Sequence, residues 1–147
     1  MTLYLDASAL VTRVTEERAS GAVDAVLARH PTGVGVSEFA AAEVASALSR
    51  LVRMRLISRE DGEARLVDFD AWRSMRADLV EIESSDFHLA NIFVRRFDLM
   101  LRAPDALHAA VCRRLGLTMV TLDQRLARAA AALDVPVLNP TEPAFYG

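Results

Sequence analysis

The sequence predicts an α/β fold built on a mainly parallel sheet. Three observations carry that expectation. Short apolar runs alternate with longer helix-like segments along the chain. The runs LYL and VGV are apolar throughout, as befits strands covered on both faces. Helix start and stop signals recur between them.

Taken in order, LYL (3–5) reads as the first strand, and the chain turns helical after Asp6. VDAVLAR (23–29) reads as a helix closed by the turn HPTG, and VGV (34–36) as the second strand. Ser37 then caps a long helix, roughly 38–54, with Ala40, Val44, Ala47, Leu48 and Leu51 on one stripe. Residues 58–75 form another helix, opened by a Ser cap and acids in its first turn. LVEI (79–82) is the third strand. Two helices, 85–101 and 104–115, follow; the second has Pro104 at its start and Gly116 past its end. TMVT (118–121) is the fourth strand, 124–133 a helix, and VPVL (135–138) the fifth strand. A single domain, 1–147, is expected, with a loop-like tail from about 140. Right-handed crossovers would place helices on both faces.

The chain has 147 residues, 52% hydrophobic and 25% charged, an ordinary globular balance. No apolar run approaches the roughly 18 residues of a membrane span, and no secretory signal is visible at the start. The lone Cys112, expected in the core, fits a reducing cytoplasm. The net charge of −3 lacks the overall basic signature of nucleic-acid binders. All 17 basic residues are Arg, so no lysine-dependent chemistry is open to this chain.

Function in open parallel sheets sits beyond the carboxyl ends of the strands. Asp6 follows the first strand, Glu38 and Glu43 the second, and Asp123 the fourth. Asp105 opens the helix that returns to the fourth strand, so its end lies at the same edge. Each acid has a structural explanation alone: Asp6 and Asp123 as helix caps, Asp105 as a partner of the helix dipole. Together they repel. Two charges about 5 Å apart at an effective dielectric of about 20 cost roughly 3 kcal/mol. A cation among them relieves that cost, and an all-oxygen donor set favours Mg²⁺ or Mn²⁺. Glu38 and Glu43 point about 140° apart on a helix, so they should not both be ligands. Glu43, set among small apolar residues, is the better candidate, and Glu38 suits the helix dipole.

The stretches YLDASAL, SEFAAAEVASALSR, APDALHAAVCRRLG and TMVTLDQRLARAA, in that order, resemble the PIN-domain ribonucleases, and most closely the VapC-type toxins of bacterial toxin–antitoxin pairs. The resemblance implies a PIN-like three-layer fold with sheet order 3-2-1-4-5. It implies Asp6, Glu43, Asp105 and Asp123 as the catalytic acids holding Mg²⁺ or Mn²⁺, with Ser8 and Thr121 orienting carboxylates. It also implies an RNA substrate cut to 5′-phosphate and 3′-hydroxyl ends, a cognate antitoxin, and a homodimer packed through helices.

His108 lies one turn after Asp105 and is a candidate to orient that carboxylate, or else a partly buried helix histidine. His30 and His88 show no ligand spacing. An RNA track could come from Arg50, Arg53, Arg55, Arg59 and Arg102, which also read as solvated helix ends. Trp72 reads as packing. Rival α/β enzymes fit poorly. A haloacid-dehalogenase-type phosphatase needs a second acid where Ser8 stands, and a response-regulator receiver needs a Lys. Glycines for a dinucleotide or P-loop site are missing after the first strand. The alternative of a different class is a PIN-like binding module without catalysis.

Overall fold

The computed structural model describes residues 2–142. Strands β1 (Leu3–Leu5), β2 (Val34–Ser37), β3 (Asp78–Val80), β4 (Thr118–Val120) and β5 (Val137–Leu138) form one sheet in the order β3-β2-β1-β4-β5. Every pairing is parallel, with Tyr4 opposite Gly35 on one side and Met119 on the other. The sheet order expected from the family resemblance is the one observed.

Helices cover both faces, because alternate strand residues point to opposite sides. Leu3, Leu5, Val34 and Val36 pack with α1 (Ala7–Leu10), α2 (Ser20–Arg29), α3 (Glu38–Arg53) and α4 (Arg59–Arg76). Tyr4, Val80 and Met119 pack with α5 (Ser84–Val94), α6 (Ala103–Leu115) and α7 (Gln124–Ala132). The predicted stripe on α3 faces the first layer, with Ala40, Val44 and Leu48 buried and Leu51 packed beside them. Cys112 is buried in the second layer. Trp72 stacks on Phe69 with ring centroids 6.0 Å apart, under the Arg13 guanidinium.

Boundaries moved where the chain must turn. The helix expected over 85–101 ends at Val94. A short 3-10 turn, Phe97–Leu99, and a left-handed Met100 (φ 51°) follow it. The break has a physical cause: α5 and α6 pack against each other, so the chain must reverse between them, and Arg102 is extended as the N-cap of α6. In the other direction, the helix read over 23–29 begins at Ser20. Pro140, Thr141 and Glu142 form a turn, and residues 143–147 of the expected tail lie outside the described residues.

One buried ion pair locks α5 to α6. Asp86, 1% exposed, accepts from Arg114 Nε at 2.7 Å and Nη2 at 2.9 Å, and from the backbone N–H of Glu83 at 2.8 Å. Burial pushes the Asp86 carboxyl up, but the Arg114 bonds outweigh it and hold the carboxyl below the usual carboxylate range. Among the described residues, no helix is long and apolar enough to cross a membrane.

Candidate functional site

β1 and β4 are neighbours, so Asp6 and the segment Thr121–Asp123 leave the sheet side by side; the N–H of Asp6 reaches Val120 O at 3.1 Å. Here the sheet order reverses direction, which is where parallel sheets open a crevice.

Asp6 is both the helix cap and the buried acid. Its Oδ1 accepts from the Ala9 N–H at 3.0 Å and from Ser8 Oγ at 2.6 Å. Its Oδ2 accepts from Thr121 Oγ1 at 2.6 Å. It is only 3% exposed, and among the described residues it forms no salt bridge. Burial pushes its carboxyl above the ordinary range, against the pull of its three donors. Ser8 and Thr121 also knit the two strand ends together. Ser8 Oγ accepts the Leu122 N–H at 2.9 Å, and Thr121 Oγ1 accepts the Asp123 N–H at 3.1 Å.

Asp123 caps α7, accepting from the N–H groups of Arg125 at 3.0 Å and Leu126 at 3.1 Å. Asp105 stands in the first turn of α6, with Arg102 Nε 3.7 Å from its Oδ2. Glu43 and Glu38 diverge on α3. Glu38 is exposed and pairs with Arg73 at 2.6 Å. Glu43 Oε1 meets His108 Nε2 at 2.5 Å.

His108 therefore engages Glu43 rather than Asp105, which the sequence offered as one candidate partner beside a partly buried helix position. It is 2% exposed, and its Nδ1 lies 2.6 Å from Tyr4 Oη. Tyr4 Oη in turn lies 2.8 Å from Ser37 Oγ. Burial holds the Tyr4 hydroxyl firmly protonated. Tyr4 and Ser37 were read only as strand and cap. The available signal was a lone phenol in a fully apolar strand, since a buried Tyr hydroxyl needs a partner.

Asp6 and Asp123 are thus linked through Thr121, whereas Glu43 is held by His108 and Asp105 lies beside Arg102. Among the described residues, no three Asp, Glu, His or Cys side chains converge as a ready-made metal cluster. The donor chemistry nonetheless suits a hard divalent cation: the four acids offer oxygen only, and the most buried of them has no salt-bridge partner among the described residues.

Arg50, Arg53 and Arg102 line a groove of about 1010 Å³ together with Glu43. Its lining also includes the apolar Val11 and Leu51 and the acids Glu16 and Glu17. Arg55 and Arg59 are not in its lining: Arg55 sits in a left-handed turn (φ 58°), and Arg59 pairs with Glu63 at 2.9 Å.

Residues 3–132 match the sequence model of the PIN domain family. No curated protein sequence matches the chain. Its fold is similar to that of FitAcB from Neisseria gonorrhoeae (TM-score 0.68, 18% identity, covering 97% of this chain and 100% of that one). It is similar to VapC20 from Mycobacterium tuberculosis, a sarcin-ricin loop cleaving toxin (0.69, 19%, covering 87% and 95%). It is similar too to a toxin–antitoxin complex from Klebsiella pneumoniae (0.67, 16%, covering 97% and 100%).

Proposed function

Because this chain belongs to the PIN domain family, we propose that it is a Mg²⁺- or Mn²⁺-dependent endoribonuclease, the toxin of a toxin–antitoxin pair that stops translation and growth. One observation carries the reading: a buried carboxylate, Asp6, is oriented by Ser8, Thr121 and a backbone N–H, and among the described residues it has no salt-bridge partner. Asp6, Glu43, Asp105 and Asp123 would hold the ion. When bound, it supplies the positive charge that phosphodiester hydrolysis needs at an acidic edge.

The chain's own groups do the rest. Asp6 Oδ1 accepts from Ser8 and the Ala9 N–H, and Oδ2 accepts from Thr121 alone, which leaves a lone pair on Oδ2 for a cation. Water adds to phosphorus, the P–O3′ bond breaks, and the proton passes to the departing 3′-oxygen. The products are a 5′-phosphate and a 3′-hydroxyl. Arg50, Arg53 and Arg102 carry the phosphates along the groove that reaches Glu43. Arg55 and Arg59 serve at its approach. The toxin–antitoxin complex among the similar structures supports a cognate antitoxin for this chain as well. We place it in the cytoplasm, as a homodimer.

The second reading, a binding module without catalysis, draws on the local engagement of Glu43 with His108 and of Asp123 with the α7 N-terminus. Purified protein incubated with structured RNA, in Mn²⁺ or in EDTA, separates the two. The enzyme cuts only with metal, and Asp6→Asn, Glu43→Gln, Asp105→Asn and Asp123→Asn each abolish cutting while leaving the fold intact. RNA bound equally well in EDTA and never cut would favour the module.

A further inference from the structure

Four side chains form a hydrogen-bonded chain that begins at the N-cap of α3 and ends on α3 itself. Ser37 Oγ, at the α3 cap, already accepts the Ala40 N–H at 3.1 Å. Its own hydrogen is therefore free for Tyr4 Oη, 2.8 Å away on β1. Tyr4 can then give its proton to His108 Nδ1 on α6, at 2.6 Å. With Nδ1 accepting, the ring hydrogen sits on Nε2 and faces Glu43 Oε1 at 2.5 Å. Every group is satisfied, with a ring N–H directed at the Glu43 carboxyl.

The reverse order works less well. If Tyr4 donates to Ser37, Nδ1 must donate to Tyr4. Nε2 then faces a carboxylate with no hydrogen between them, unless Glu43 is protonated or a charged imidazolium stays buried at 2% exposure. Two rings fix the imidazole plane as well: Tyr4 and Phe39 lie 5.5 and 5.4 Å from its centroid.

We propose that this hydrogen-bonded chain runs in one direction, Ser37 to Tyr4 to His108 to Glu43, and that Tyr4 and His108 are positioning residues that hold Glu43 ready to bind the divalent cation. The inference rests on the function proposed above and adds two residues to it. The chain aims one Glu43 oxygen while leaving the other free. That restricts a flexible side chain on α3 before any ion arrives, and groups that orient metal ligands in this way typically govern affinity.

Two measurements test it. Nitrogen-15 spectra of the metal-free protein report which ring nitrogen of His108 carries the hydrogen; the Nε2–H form is expected, and the Nδ1–H form would overturn the ordering. Calorimetric Mn²⁺ titration reports affinity independently of catalysis. Tyr4→Phe removes the donor to Nδ1, which leaves a buried acceptor unpartnered and loosens the ring, so Mn²⁺ binding should weaken on the order of 10-fold, with the far-ultraviolet circular dichroism unchanged. His108→Gln keeps an N–H for Glu43 and should bind several-fold more tightly than His108→Leu; this pair decides the question if Tyr4→Phe does not fold. Wild type that binds Mn²⁺ no better than Tyr4→Phe and His108→Leu overturns the positioning role alone. Wild type that binds no Mn²⁺ at all overturns the proposed function with it.

Discussion

Replacing Thr121 by Val removes one hydroxyl and keeps the shape. That hydroxyl is fully buried, donates to Asp6 Oδ2 at 2.6 Å and accepts the Asp123 N–H at 3.1 Å. A hydrogen bond to a charged group contributes about 1.5–3 kcal/mol, and the Val methyl offers Asp6 nothing in return. For a chain of this size each kcal/mol moves the melting temperature by about 2–4 °C, so Thr121→Val should melt about 3–12 °C below wild type in metal-free buffer. Thr121→Ser keeps both bonds and loses one methyl, a cost of about 1 kcal/mol. The gap between Val and wild type should narrow in acid, where Asp6 gains a proton and a neutral bond is worth only about 0.5–1.5 kcal/mol. Differential scanning calorimetry over a pH series reads all of this. A Thr121→Val protein that melts with wild type at neutral pH, or a gap that does not change with pH, would refute the link between Thr121 and a buried Asp6 anion.

Three further outcomes follow from the same structure. Burial raises the folded-state pKa of Asp6 above its ordinary 3.8, so its contribution to stability is intact below that value and is lost as pH rises through the raised one; metal-free Asp6→Asn should therefore melt above wild type at neutral pH, and a lower-melting variant contradicts this. Mn²⁺ should raise the wild-type melting temperature and leave Asp6→Asn nearly unmoved, and equal shifts would place the ion elsewhere. Arg114→Met strands the Asp86 carboxylate and should cost about 3–5 kcal/mol by chemical denaturation, partly recovered by adding Asp86→Asn. Asp86 is held below its ordinary 3.8, so its stabilisation is present above that value and fades as pH falls through the lowered one; the Arg114→Met deficit should shrink there.

The fold was legible because its signals are local. Apolar runs, the Ser37 and Ser58 caps and the Pro104–Gly116 bracket mark elements without reference to distant residues. The α5 end was not, since the turn at Met100 is imposed by packing between α5 and α6 rather than by a breaker in the segment itself. The positions of the acids at strand ends were readable for the same reason: Asp6 follows β1 directly, and Asp123 follows β4 after Thr121 and Leu122. Their partners were less so. Asp6, Ser8 and Thr121 come together because β1 and β4 are neighbours. The contact of His108 with Glu43 spans 65 residues and depends on how α3 and α6 lean toward β1, which periodicity along one helix cannot report. The same limit applies to Arg50, Arg53 and Arg102, which share a groove with Glu43 although helix-end solvation accounts for each separately.

The most direct test of the central claim is induced expression of wild type and Asp6→Asn in a host without antitoxin, followed by mapping of RNA 5′ ends. The account predicts that wild type alone arrests growth and leaves new 5′-phosphate ends at a small number of sites. Growth arrest and the same new ends with Asp6→Asn would contradict it.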